Sequence, residues 1–405
     1  MRRTYCVGIV LVALLSTAWV IAVPFSRATL NWHPDEGSHL AVIRFEALYG
    51  RLPPYSAPYD TSVHPPLYHA LGAVIWASVA PAFGSDAAVV AVRGLSLVCG
   101  LATVLLVGRG VGVLWGRSVG FLASLIVGLV PMRVSLSAAV NNDNLAAVAA
   151  AGVLAVLASG LRWGFPRRRV VALTLWCALG VGAKVTCLGL VPVALLGLVW
   201  SSRRRCDPIP AVRSTVGLVL SCVLLSGWWY VRNIALYGDP LRARAADRLW
   251  SGVQPGFSHL HTQTGVSVGR YLVSAVSLAN DSFWGVFDAM SSALPVPVYY
   301  GLGLCLVLAL VRALPRAYRG RARREWLVLV GMYAAFVVVV FALYNWKHYT
   351  PQGRYLFVLL SPFGAVFASG WLRLFPSASR RGASGALIAS LVALNLFCLV
   401  RYPPW

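Results

Sequence analysis

Residues 170–200 read VVALTLWCALGVGAKVTCLGLVPVALLGLVW, a run in which Lys184 is the sole charge. One helix of that length would over-span a bilayer, whose hydrocarbon core takes about 20 residues. A lysine held at mid-bilayer is costly as well. Two short spans that turn on G-A-K-V-T at 182–186 satisfy both constraints and bring Lys184 to a membrane surface. The run therefore predicts a helical membrane protein.

The rest of the chain agrees. Of 405 residues, 59% are hydrophobic and 12% charged, against about 25% charged in soluble domains. The mean hydropathy is +0.73. Within a bilayer only helices or a closed barrel satisfy the backbone, and the ten-residue alternation of a barrel is missing. The net charge of +23 does not signal nucleic acid. Only Lys184 and Lys347 are lysines, and the arginines cluster between apolar runs, at Arg2–Arg3, Arg167–Arg169, Arg203–Arg205, Arg316–Arg324 and Arg380–Arg381. That is the pattern of cytoplasmic loops under the positive-inside rule, with membrane lipids as the partners of the clusters. The dominance of arginine over lysine suggests a GC-rich bacterial genome. Seven of the eight cysteines lie in apolar runs and Cys206 lies beside an arginine cluster, so neither a disulfide framework nor a zinc knuckle is expected.

The charge rule orients the spans. The first, about residues 4–25, enters from the cytoplasm and reads as an uncleaved span rather than a signal peptide. Residues 26–86 then form an extracytoplasmic loop with interfacial helices. Within it Leu67–Phe83 is apolar but broken by Pro81; if it crossed fully, every later arginine cluster would lie outside, so it reads as interfacial or re-entrant. Spans follow at Ala87–Val107, Ser118–Ala138, Leu145–Leu161, the two short ones around Lys184, and Thr215–Trp229. A long extracytoplasmic segment covers 232–289, with spans near 292–312, 325–344, 355–373 and 384–400 after it. The expected fold is an all-α polytopic bundle of about 11 transmembrane helices, a single integral membrane domain over 1–405 with no internal repeat.

This topology gathers chemistry on one face. Trp32–His69 holds four of the seven histidines, His33, His39, His64 and His69, and four of the twelve acids, Asp35, Glu36, Glu46 and Asp60. Nine acids in all face outward, with Lys184, Arg232, Lys347, His348 and Arg354 among them. Cations at the bilayer edge suit a lipid phosphate, and a carboxylate suits proton removal from an incoming hydroxyl or amine.

The motifs H-P-D-E-G (33–37), H-P-P-L-Y-H (64–69), N-N-D-N (141–144), G-V-G-A-K-V-T (180–186), W-W-Y-V-R-N-I-A-L-Y-G-D-P (228–240) and Q-G-R-Y-L-F (352–357) occur in order. Each is weak alone. Their order resembles the GT-C superfamily of polyprenyl-phosphate-dependent membrane glycosyltransferases, in particular the protein O-mannosyltransferase and aminoarabinose transferase branch, over about residues 1–375. The resemblance implies an integral enzyme of the cytoplasmic membrane, serving the cell envelope. It would move a sugar with inversion from a polyprenyl-phosphate donor to an extracytoplasmic acceptor.

It also implies roles. Asp35 matches the family's first-loop acid, the general base or acceptor orienter, with Glu36 beside it and Asp143 as the second acid. His64, Lys184, Arg354 and Tyr355 match positions that hold the lipid phosphate, His64 only if its imidazole is protonated. Parts of the family work without metal; were a divalent ion bound, Asp35, His39 and Asp143 would be the candidate ligands, with Glu36 and His64 nearby. Plain structural readings stand beside these: Asp35 as the cap of a helix beginning near Gly37, Glu36 as a charge complementing that helix's dipole, Asp143 as the cap for Leu145 onward, and Lys184 as a snorkelling lysine. Arg232 and Asp239 are expected to brace the long outer segment, and His259 and His261 to be loop residues. The alternative function is a transporter or flippase of a lipid-linked or anionic substrate, which predicts ionisable groups deep in the spans and symmetry between halves.

Overall fold

The computed structural model describes residues 2–23, 32–203, 208–250, 253–317 and 320–403, so Arg204 and Arg205 of one basic cluster lie outside the described residues. The chain is almost entirely helical. Its helices are α1 (Arg2–Ala22), α2 (Glu36–Tyr49), α3 (Leu67–Trp115), α4 (Arg117–Gly128), α5 (Pro131–Leu136), α6 (Asp143–Trp163), α7 (Arg167–Ala183), α8 (Leu190–Arg203), α9 (Pro208–Cys222), α10 (Trp228–Tyr237), α11 (Ala243–Trp250), α12 (Phe257–Thr264), α13 (Val268–Trp284), α14 (Val296–Ala317), α15 (Arg321–Lys347), α16 (Leu360–Leu374) and α17 (Arg380–Arg401). Single 3-10 turns precede or join them at Ala57–Val63, Val185–Gly189 and Gly353–Leu359. Among the described residues, eight helices are long and apolar enough to cross a membrane, and Cys6–Ala22 and Arg117–Gly128 are shorter apolar helices. One departure from an all-α chain is a two-residue hairpin, Val286–Phe287 against Ser292–Ala293.

The run that predicted the fold breaks at its lysine. Lys184 is extended, with φ −158° and ψ 142°, between α7 and the 3-10 turn that opens α8. Other boundaries shift. α3 breaks at Gly84, where φ is +85°, and not at Pro81, which stays inside the helix. Glycine takes that conformation without steric cost. The arm before the break folds back on the one after it, because the Tyr68 hydroxyl lies 2.7 Å from that of Ser96. The second arm runs on to Trp115. The segment expected as one span over Ser118–Ala138 is two helices, since Pro131 starts a new one at α5. The span expected to end at Trp229 continues through a π-helical turn, Val223–Gly227, to Tyr237, so the long loop starts later than expected.

Two chemically different ends result. At one, Arg162 donates to the Val113 carbonyl, Arg323 to that of Leu114 at 2.9 Å and Arg373 to that of Ala313 at 3.0 Å, so basic connections gather there. At the other end, the amide of Ala289 donates to Trp32 O at 3.0 Å, and Tyr402 to Ala293 O at 2.8 Å. Between them α6, rich in alanine, is the most enclosed of the apolar helices. Its first turn opens onto the acidic end.

Candidate functional site

The N-N-D-N motif is a knot of backbone ties. Asn141 Nδ2 donates to Pro34 O at 3.2 Å, Asn142 Nδ2 to Ala183 O at 3.0 Å and Asn144 Nδ2 to Leu136 O at 2.9 Å. The Asn141 carbonyl oxygen of the side chain accepts from the Asp143 amide at 2.8 Å. The motif thus fastens the first loop, the Lys184 turn and the start of α6 to one another, and leaves the Asp143 carboxylate for other partners.

Those partners are Lys184 and Arg354. Lys184 Nζ donates to Asp143 Oδ1, and Arg354 Nη1 donates to Asp143 Oδ2 at 3.3 Å. The other guanidinium nitrogen, Nη2, donates to Asp35 Oδ2, and Nε donates to Gln352 Oε1 at 2.6 Å. The Tyr355 ring completes the cluster, with Lys184 Nζ 4.7 Å and Arg354 Cζ 5.0 Å from its centroid. Four segments far apart in the chain therefore meet, joined by one arginine. Exposure divides them: the side chains of Arg354, Asp143 and Lys184 are 2%, 4% and 8% exposed, whereas that of Asp35 is 44% exposed. Asp35 is the acid that faces out.

Neither acid caps its helix. Asp35 precedes α2 and Asn142 precedes α6, and neither makes a side-chain capping bond. Asp35 is held instead in the left-handed region, φ 62°, an uncommon conformation that aspartate tolerates better than most residues.

Glu36 lies behind. Its carboxylate is fully buried, bound by Arg93 Nε and Nη2 at 2.9 and 2.8 Å, and it also accepts from the Val140 amide at 2.8 Å. Arg93 Nη1 reaches Val23 O at 2.5 Å. The two Glu36 oxygens thereby bind α2 to α3 and to the loop before α6, and Arg93 carries the tie on to the residue that follows α1. His39 and His69 face each other, Nδ1 to Nε2, at 2.8 Å. His64 is half-buried, with Lys184, Asp143 and Arg354 as electrostatic neighbours; burial and then Lys184 hold its pKa down to about 3, so its imidazole is neutral. A neutral ring offers a lone pair or one N–H, not a cation.

The candidate metal ligands Asp35, His39 and Asp143 do not form a ligand set. Arg354 occupies the position between the two carboxylates that a cation would take, and His39 is engaged with His69. Among the described residues no group of three or more His, Cys, Asp or Glu converges. His259 and His261 are exposed and separate, the latter bonded to Val266 O at 2.9 Å.

Several residues that matter here carried no signal in the sequence. Arg93 sits unremarked in an apolar run. Arg242 ties the long outer segment to the first loop: it is buried, donates to Asn233 Oδ1 at 2.7 Å and to Ser62 O at 2.9 Å, and packs on Tyr237. Asp239 stays within its own turn and accepts from the amides of Leu241 and Arg244 at 2.9 and 3.1 Å.

Comparison with known proteins places this arrangement in context. Residues 64–229 match the model of the dolichyl-phosphate-mannose-protein mannosyltransferase family. No curated protein matches the chain. Among solved structures, ArnT from Cupriavidus metallidurans bound to undecaprenyl phosphate superposes with a TM-score of 0.59 at 15% identity, covering 96% of this chain and 64% of that one. The Archaeoglobus fulgidus oligosaccharyltransferase with zinc and sulfate gives 0.55 at 14% identity, over 97% and 52%. The same organism's AglB with an inhibitory peptide and a dolichol-phosphate gives 0.52 at 12%, over 99% and 55%. At these identities the likeness is one of fold, and the chain spans less than two thirds of the length of each of the three.

Proposed function

We propose that this chain, whose fold is that of ArnT and the archaeal oligosaccharyltransferases, is a GT-C membrane glycosyltransferase that transfers a sugar from a polyprenyl-phosphate donor to an extracytoplasmic acceptor. The observation that carries the reading is the Asp35–Arg354–Asp143–Lys184 cluster, in which one carboxylate is open and the two cations lie behind it. A guanidinium has five N–H groups and an ammonium three. Three of the former and one of the latter have protein partners among the described residues, which leaves donors of both for the phosphate.

In the proposed reaction Asp35 takes the proton of the acceptor hydroxyl or amine as that atom attacks the anomeric carbon. The bond from the anomeric carbon to the phosphate oxygen breaks, and the polyprenyl phosphate leaves with the electron pair. Arg354 and Lys184 meet the charge that develops on it, the largest stabilising term in such a step. Attack opposite the leaving group inverts the sugar's configuration. Asp143 holds the two cations in place, Glu36 fixes the loop that carries Asp35, and neutral His64 contributes a hydrogen bond at the phosphate. No step uses a metal ion, because the cluster's own cations fill the space between its acids.

The same proposal covers orientation. The crossings it counts are α1, the second arm of α3, α4 with α5, α6, α7, α8, α9 with α10, and α14 to α17, eleven in one membrane domain, and the eight helices long and apolar enough to cross support that reading. The gathering of arginines at the end remote from Asp35 supports a site on the extracytoplasmic side.

The experiment is reconstitution in liposomes with radiolabelled polyprenyl-phosphate sugars. Wild type transfers label to an acceptor, and Asp35→Asn is expected to lose about 10²–10⁴-fold of that rate while inserting normally. Full activity in the variant removes Asp35 as base. Movement of intact donor across the bilayer without transfer would favour the transporter reading.

A further inference from the structure

Just past the end of α15 lies a carboxylate–imidazole pair that the reaction above does not use. His348 Nε2 is 2.9 Å from Asp247 Oδ1, and Lys347 Nζ donates to Asp247 Oδ2 at 2.9 Å. An ionised carboxylate only accepts, so Nε2 carries the proton. In that tautomer the other ring nitrogen, Nδ1, offers a lone pair. The His348 side chain is 4% exposed, and its Nδ1 is buried without a hydrogen-bond partner among the described residues. Gln254 Oε1 is likewise buried and unpartnered. It lies two residues before Gly256, which packs on the carbonyls of Trp346 and Lys347.

A buried acceptor left open forgoes its hydration without replacement, so such groups call for a ligand or an ordered water. The neighbourhood indicates which. The Tyr344 ring lies 5.5 Å from that of His348 and 6.4 Å from that of Tyr355, and it is 39% exposed. Tyr355 is the ring on which Lys184 and Arg354 rest. A sugar is bonded directly to the phosphate those cations would hold, so it is the first polar group to reach Tyr344 and the atoms beyond it.

We propose that His348, held by Asp247 with its Nδ1 lone pair free, accepts a hydrogen bond from a hydroxyl or amine of the glycosyl group on the lipid-linked donor. His348 is then a binding residue and Asp247 a positioning residue. The assignment rests on the glycosyltransferase reading of the adjacent cluster.

Two substitutions separate ligand binding from bracing. His348→Gln keeps an N–H at the place of Nε2 for Asp247 and removes the Nδ1 acceptor. His348→Asn places an amide near Nδ1 and gives up the Asp247 contact. The probes are undecaprenyl phosphate, bare and carrying mannose, with binding read by native mass spectrometry and folding by the melting temperature. In His348→Gln the glycosylated lipid is expected to bind about 5- to 100-fold more weakly, with bare lipid binding and melting unchanged. His348→Asn should recover part of the glycosylated-lipid affinity. Equal loss for both lipids, or no loss for either, overturns the assignment, as does a lower melting temperature as the only effect. If wild type binds neither lipid, the failure lies in the glycosyltransferase reading, and this inference goes with it.

Discussion

At the scale of single residues, the Glu36–Arg93 pair shows what burial does to charge. Two ions taken out of water are repaid only when their polar atoms find partners, and here Glu36 accepts from both nitrogens of one guanidinium edge and from the Val140 amide. Removing one partner strands the other. Arg93→Met is expected to cost about 3–5 kcal/mol in unfolding free energy and to weaken transfer only through misplacement of Asp35. Chemical denaturation in detergent checks this, and a variant as stable as wild type would contradict it. Proton linkage gives a second expectation. Burial lowers His33 to about 4 and His64 to about 3, from 6.5. The unfolded chain takes up these protons first, so their contribution to stability is complete above pH 6.5 and is lost as pH falls from there. Burial raises Glu46 from 4.5 to about 8. Its contribution is complete below pH 4.5 and is lost as pH rises toward 8. His39 and His69 are lowered by burial as well, so four imidazoles outweigh one carboxyl at pH 6.5 and below, the carboxyl prevails above neutrality, and melting temperature should peak near neutral pH. Glu46→Gln should flatten the alkaline limb and leave the acid limb intact. The acid-histidine loop was conspicuous in the sequence, yet which of its acids stays open was not. Asp35 and Glu36 are adjacent and chemically alike; only the partner on another helix, Arg93 in the second arm of α3, tells them apart.

At the scale of elements, the Q-G-R-Y turn owes its place to its glycine. A Cβ on Gly353 would run into the Ala279 carbonyl and the Phe283 amide, backbone atoms of α13 that cannot step aside. The Gly353 amide is further pinned to Ser282 Oγ at 2.8 Å. Close approach to α13 is what sets Arg354, the next residue, between Asp35 and Asp143. Gly353→Ala is therefore expected to lower transfer by about 10²-fold, since a displacement of about 1 Å in a positioned group costs that much. It should do so with the protein still helical by circular dichroism. Activity within about twofold of wild type would show that the turn adapts. Glycine before an arginine is legible as a motif but not as a contact, because the surface it touches lies some seventy residues away. The lysine turn was legible for the opposite reason. Span length and the cost of a buried ammonium are local constraints, and they located the break at Lys184 from thirty-one residues alone. The break expected at Pro81 falls at Gly84, and the single span expected over Ser118–Ala138 divides at Pro131, because a proline in a first turn starts a helix and one deeper inside is tolerated against a neighbour, which only packing distinguishes.

At the scale of the whole molecule, charge asymmetry does the work that a periodic repeat does elsewhere. Parity alone permitted two topologies, differing in whether 67–83 crosses. The positive-inside rule favours the one in which it does not, while the folded-back arm, with Tyr68 against Ser96, is common to both. The two ends of the bundle then carry unlike chemistry, arginine-to-carbonyl contacts at one and the carboxylate–cation cluster at the other. If the site faces out, positions at the two ends must differ in access from outside an intact cell. Ser291, exposed beside the small hairpin, lies at the cluster end, and Ser379, exposed between α16 and α17, lies at the arginine end. With the eight native cysteines replaced, Ser291→Cys should react with a membrane-impermeant maleimide in intact cells, and Ser379→Cys only after permeabilisation. The reverse pattern would put Asp35 and its cations inside, where the acceptor would have to be cytoplasmic. Labelling of both sites in intact cells would mean that the chain between them crosses an even number of times, against the three crossings that α14, α15 and α16 supply.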